Sequence, residues 1–463
     1  MAGRARIDPR GIIGYAAARR AGRGAPVGAP DAAETALPDP PMPPRLAVLF
    51  RLAALAALAL FLPPRPVRAN TPAGQVIMQV VLIRHGIRAP SKAPRDLAIY
   101  ASEPWPAWPV APDQLTPHGV QLMRSLGAWY RRDAAASGLL PAGGCPGAAS
   151  LHTIADSPAR THDSAAGLLA GFAPGCPAAY RAYPPGHADP LFHGRRGKKP
   201  KGPRDPALPD AALAELQRTL LGCGDAPCLR RARDAGKKLL LEQKPAKALK
   251  HADALSEDLM LEYAEGMPPA QVGWGRLDDD AIDRLIVLHN AAYALAHGTA
   301  AAARRRDGNL LAHLAATLQA AAGSRGALPP LAPQGTRLLF LVAHDTDLAG
   351  MAGLLGLDWH DAAQPDDFPP GGALIYQLVR SRAGDAVRLR VVLPTLAGLR
   401  AGDTRAAGAV RVATLRIPGC GTADACPLAR FQALVDQAVP PRDVVPSSGD
   451  EPVASQERGR LRL

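Results

Sequence analysis

The chain has 463 residues, 47% of them hydrophobic and 21% charged, a globular composition long enough to bury one large core or two moderate ones. Its formal charge is +13, but residues 1–69 hold ten Lys/Arg against four Asp/Glu, leaving +7 for the remainder. With 4% aromatic residues and no Lys/Arg stripe interleaved with them, that surplus favours a small anionic substrate and excludes nucleic acid as the expected partner.

The first readable element begins at Met42. Arg45 precedes an apolar core at residues 52–62, and Val67-Arg68-Ala69 puts small residues at the two positions a signal peptidase reads. The core is too short to span a bilayer comfortably, so a secretory signal cleaved after Ala69 is expected. Residues 1–41, rich in Pro, Arg and Ala, resemble no signal peptide and point to a start codon assigned too far upstream. An uncleaved anchor with a cytosolic tail is the competing arrangement, opposed by Arg51 inside the apolar run and Pro63-Pro64 at its end.

An apolar strand at residues 76–83 then runs into Arg84-His85-Gly86-Ile87-Arg88-Ala89-Pro90. Guanidinium forks match phosphate oxygens, and a neutral imidazole among them can attack phosphorus, so the expected product is a phosphohistidine on His85 between Arg84 and Arg88. Lys92, two residues further on, could bind substrate as a cation beyond the single-phosphate clamp. A helix starts after Thr116-Pro117, with Val120, Met123, Gly127 and Tyr130 on one face. Residues 193–275 differ in kind: a basic Gly/Pro-rich loop at 194–204, read as a solvated excursion rather than a substrate clamp, leads into helical patterns. A second buried-strand pattern at 338–342 runs into His344-Asp345, and further strands are expected at 373–379 and 387–393. In an open α/β sheet, ligands sit beyond the carboxyl ends of parallel strands, so the two strand ends could meet across some 250 residues of chain. His344 would then donate to the phosphate, and Asp345 would protonate the leaving alcohol, which needs a carboxyl pKa modestly above its reference value near pH 5. The tail from 444 to 463 is polar and expected to be disordered.

These motifs resemble the histidine acid phosphatases, in particular the bacterial periplasmic branch of phytases and glucose-1-phosphatases. Trp105-Pro106-Ala107-Trp108-Pro109, Leu115-Thr116-Pro117-His118-Gly119, Ala155-Asp156-Ser157-Pro158-Ala159-Arg160-Thr161, Gly266-Met267-Pro268, Gly273-Trp274-Gly275-Arg276, Leu288-His289-Asn290 and Pro369-Pro370-Gly371-Gly372 fall in the family's order from residue 72 to about Cys426. The resemblance implies an α/β sheet domain (70–192 and 276–463) with an α-helical insertion (193–275), Arg160 as a third phosphate arginine and Glu257 facing the substrate. Phytase members carry an acid after the Pro-Pro-Gly-Gly segment, where this chain has Ala373. His289 and Asn290 read as helix packing or support behind the site.

All six cysteines follow the proposed cleavage point, as suits an oxidising compartment. Sequence proximity and the resemblance both favour Cys145–Cys176, Cys223–Cys228 and Cys420–Cys426. No C-x-x-C spacing supports a zinc site and no Gly-rich loop ending in Lys-Ser/Thr supports a nucleotide-driven kinase, so neither metal nor cofactor is expected. The expectation is a monomeric, periplasmic or secreted phosphomonoesterase without a stable membrane anchor. It takes phytate, with a glucose-1-phosphatase as the alternative. A phosphotransferase or mutase, or a non-catalytic phosphate-ester binder, is disfavoured: the first must shield its phosphoenzyme from water, and the second has no use for both His85 and Asp345.

Overall fold

The computed structural model describes residues 74–194, 206–324 and 326–445. The leader, the cleavage point, the basic loop beyond Gly194 and nearly all of the tail lie outside them.

Six strands, β1 (Gln75–Arg84), β2 (Leu151–Ala155), β3 (Leu338–Ala343), β4 (Ala373–Ser381), β5 (Gly384–Pro394) and β6 (Val410–Leu415), stand in the order β2-β3-β1-β4-β5-β6, and the two-residue β7 (Cys426–Pro427) pairs with β5. β1 and β2 both run parallel to β3; the other pairings are antiparallel. The apolar runs of β1, broken only by buried Gln79, and of β3 suit the middle of a sheet covered on both faces. Against one face, Val81, Ile83, Phe340, Val342 and Ile375 pack with Leu122 and Leu126 of α1 (Pro117–Ala136) and Leu168 and Phe172 of α2 (Ala159–Phe172). The other face is covered from later in the chain. There Val80, Leu82, Leu339 and Leu341 meet Leu311 of α6 (Ala300–Ala321), Met351 of α7 (Asp345–Leu355) and Phe431 of α8 (Leu428–Ala438).

The helical part comprises α3 (Asp210–Leu221), α4 (Pro245–Ala264) and α5 (Asp279–Ala296), whose Leu216, Leu255, Leu259 and Leu285 join the first core. α5, which the sequence reading returned to the sheet domain, packs on α4 and α3. Periodicity identifies a helix but not the surface it covers. Trp274 ties this part to the sheet domain, donating Nε1–H to Pro104 O at 2.7 Å with its ring 4.9 Å from that of Trp105.

Two close approaches set the loop that follows β1. A Cβ on Gly119 would lie 2.1 Å from Ile87 O, so only glycine lets the first turn of α1 touch the loop. Thr116 caps that helix, accepting Gly119 N–H at 2.9 Å, while its own N–H binds Ile87 O. The Pro-Pro-Gly-Gly segment flanks the other side: Gly372 O accepts Arg84 N–H at 2.9 Å and Gly371 N–H donates to His85 O at 3.1 Å. The three expected disulfides, Cys145–Cys176, Cys223–Cys228 and Cys420–Cys426, are all present.

Candidate active site

Three parallel strands end at one level. Arg84 of β1 pairs in register with Ala343 of β3, and Val342 of β3 with Ala155 of β2, so the residues that follow, His85, His344 and Asp156, emerge side by side. The rings of His85 and His344 are 5.5 Å apart between centroids, at 72°.

His85 is 2% exposed. Its Nδ1 lies 2.8 Å from Gly86 O, a contact that requires Nδ1–H as donor and leaves the Nε2 lone pair free. Burial, then the charges of Arg160 and Arg84, push its pKa well below the usual imidazole value and keep the ring neutral. Arg84, fully buried, contacts Asp345 Oδ2 through Nη2 at 2.9 Å and also binds Glu257, the Phe368 carbonyl and, at 3.5 Å, Asp366. Arg88 donates to the other oxygen of Glu257 at 2.9 Å. One carboxylate on α4 thus bridges both arginines. Burial opposes its charge, but Arg88 and Arg84 outweigh that and hold Glu257 below the ordinary carboxylate range.

Arg160, in the first turn of α2, lies 3.3 Å from Asp113 and 3.4 Å from His344 Nδ1. His344 turns its other nitrogen to Asp156 Oδ2 at 2.6 Å, and His193 meets the same oxygen at 3.0 Å. Asp156 is wholly buried. Despite burial, the hydrogen bonds from His193 and His344 hold it far below the usual range, and in return they raise the pKa of His193.

Asp345 opens α7, its Oδ1 accepting Thr346 N–H at 2.7 Å. The sequence reading asked for a raised pKa here; the structure gives the opposite. Burial favours the acid form, but Arg84 in direct contact, with the charge of His289 behind it, holds Asp345 well below the ordinary range. Lys92 is exposed, and its charge acts on buried Asp258, as that of Arg88 does, and on His251. Asp258 is pushed up to about 8 by burial and by neighbouring Glu257.

The sequence reading therefore placed Arg84, His85, Arg88, Arg160, Glu257, His344 and Asp345 at a site where the structure brings all seven together. It missed four supports: Asp156 and His193 behind His344, Asp366 behind Arg84, and Arg306, whose charge acts on Asp156 and Asp345. Asp156 had a signal, since it follows a short strand as His85 and His344 do. Among the described residues no group of three or more His, Cys, Asp and Glu side chains could hold a metal ion, and no helix is long and apolar enough to cross a membrane.

Comparison with known proteins places these features in context. Residues 75–206 match the family described as the histidine phosphatase superfamily (branch 2). Phytase AppA of Escherichia coli K12 is 30% identical over 424 residues, covering 82% of this chain and 96% of that protein. Glucose-1-phosphatase of Salmonella typhimurium is 28% identical over 404 residues, covering 80% and 94%. Among solved structures, Hafnia alvei phytase in complex with tartrate superimposes with a TM-score of 0.65 at 28% identity, covering 81% of this chain and all of that one, and its complex with myo-inositol hexakis sulphate gives 0.64.

Proposed function

The chain belongs to the histidine phosphatase superfamily (branch 2) and hydrolyses phosphoric monoesters, and from that premise we propose that it is a secreted acid phytase working through phosphohistidine at His85. The observation that carries the reading is a neutral, buried imidazole with Nε2 free, enclosed by Arg84, Arg88, Arg160 and His344, with Asp345 one ion pair away. In this reading Nε2 attacks phosphorus in line while the three arginines and His344 take the non-bridging oxygens. The P–O bond to the alcohol breaks as the alcohol takes a proton from Asp345. The carboxylate then accepts a proton from the water that cleaves the P–N bond.

The low pKa of Asp345 fits this cycle once substrate is counted. Phosphate brings negative charge and draws on Arg84, the group that holds Asp345 ionised, so binding raises the carboxyl pKa when the leaving group needs the proton. A further consequence concerns pH. A base whose pKa is depressed stays neutral as pH falls, so kcat/KM for p-nitrophenyl phosphate should persist well below the ordinary imidazole pKa of about 6.5. An acid limb centred near that value would mean that His85 is not the desolvated base described here.

Secretion is supported by the signal-like pattern at 42–69 and by the three disulfides. Phytate is supported by the phytase relatives and by Lys92, an exposed cation beyond the single-phosphate clamp. A specificity for glucose 1-phosphate has its own support in the Salmonella relative and in Ala373. The test is kcat/KM for phytate against glucose 1-phosphate at about pH 5, with Lys92→Ala expected to raise KM for phytate more than for the sugar phosphate. A preference of roughly tenfold or more for glucose 1-phosphate would transfer the assignment to a glucose-1-phosphatase with the chemistry unchanged.

A further inference from the structure

Behind Arg84 lies a second chain of buried charges. Asp366 reaches Arg84 Nη1 with Oδ2 at 3.5 Å, and its other oxygen lies 3.9 Å from His289 Nε2. His289 Nδ1 in turn meets Asp253 Oδ1 at 2.8 Å. The histidine side chain is completely enclosed, and Nε2 has no hydrogen-bond partner although it faces a carboxylate. Its surroundings come from four elements: Asp253 and Glu257 from α4, Tyr293 tilted against it at 4.2 Å one turn along α5, Asp366 from the segment before the Pro-Pro-Gly-Gly landmark, and Asp345 from α7.

The proton state follows from the two carboxylates. With Nδ1–H given to Asp253, a neutral ring would aim the Nε2 lone pair at Asp366, lone pair against anion. A charged ring aims N–H there instead. Burial opposes that charge, but the hydrogen bond to Asp253 and the fields of Asp366 and Glu257 outweigh it and carry His289 up to about 9. Three buried carboxylates of this region, Glu257, Asp345 and Asp366, already share the guanidinium of Arg84, and Glu257 also takes that of Arg88.

We propose that His289 is a positioning residue for the phosphate clamp: as an imidazolium it neutralises Asp366 and Asp253, so that Arg84 can be anchored by Asp366 and still offer positive charge to an incoming phosphate. The proposal rests on Arg84 binding phosphate, as in the function proposed above. It separates His289 from a mere packing residue, which would contribute shape and no charge.

The experiment measures the Kd of inorganic phosphate by calorimetry for the wild-type protein, His289→Gln and His289→Gln/Asp366→Asn, with hydrolysis of p-nitrophenyl phosphate followed alongside. Glutamine keeps a donor for Asp253 but carries no charge, so the single variant should bind phosphate at least roughly tenfold more weakly. Removing the uncompensated Asp366 charge should then recover most of that loss. Unchanged affinity in His289→Gln, or losses that add in the double variant, would overturn the proposal, because a packing role predicts no rescue by Asp366→Asn. Should the variants fail to fold, nitrogen NMR of the wild-type imidazole at neutral pH decides: both ring nitrogens protonated supports the proposal, and a neutral ring overturns it. A wild-type protein that binds phosphate yet does not turn over p-nitrophenyl phosphate would remove the phosphatase reading and leave the His289 result standing on its own.

Discussion

His85→Ala should yield a folded protein whose turnover of p-nitrophenyl phosphate falls by many powers of ten, because in the proposed mechanism this imidazole forms the covalent bond to phosphorus. The neighbours of His85 are charged groups that satisfy one another, Arg84 with Asp345 and Glu257, Arg160 with Asp113. Removing the imidazole frees one carbonyl, Gly86 O, a loss on the order of 1 kcal/mol. The thermal midpoint should therefore move by only a few degrees. Retention of more than about a tenth of wild-type turnover would sink the phosphohistidine mechanism.

Asp345→Asn should divide substrates by leaving group. An alkoxide must be protonated as it departs, so hydrolysis of an alkyl phosphate should slow by about 10²–10⁴, whereas p-nitrophenolate leaves with little help and should lose far less. The amide can still accept Thr346 N–H, so the start of α7 is kept. It also removes the anion that occupies Arg84, so KM should hold steady or fall while kcat drops, the pattern of a group needed in the transition state rather than in binding. Equal losses on both substrates would make Asp345 a structural residue.

Much of the site was legible because its residues sit at strand ends. A continuous apolar run followed at once by Arg-His or His-Asp marks both the strand and the place where it stops, and parallel pairing brings such ends together. The state of those residues was not legible. The pKa of Asp345 depends on Arg84 lying 2.9 Å away, a distance no pattern encodes, and the expected direction was accordingly wrong. Glu257 was expected to face substrate, but that one carboxylate would span two arginines 173 and 169 residues away depends on the angle at which α4 meets the sheet. Asp366 and Asp253 had no signal at all, since each matters only through a partner on another element. For α5 the helix could be read but not its neighbours, and the same limit hid the role of His289.

The strand order has a consequence for how the molecule must assemble. β3 lies between β1 and β2, yet it is synthesised long after both. Until Leu338–Ala343 arrives, the two earlier strands have no common neighbour, and the edges they leave open are the kind that pair with other chains. Bringing β3 to β1 closes a loop of some 250 residues, an entropic cost of about 5 kcal/mol. The disulfides shorten it little, for the two inside the loop span only 31 and 5 residues and the third lies beyond it. Insertion of this one strand therefore joins β1 to β2 and sets His344 and Asp345 beside His85 in the same event, so a chain that ends before β3 holds the nucleophile but has neither the joined strands nor the acid.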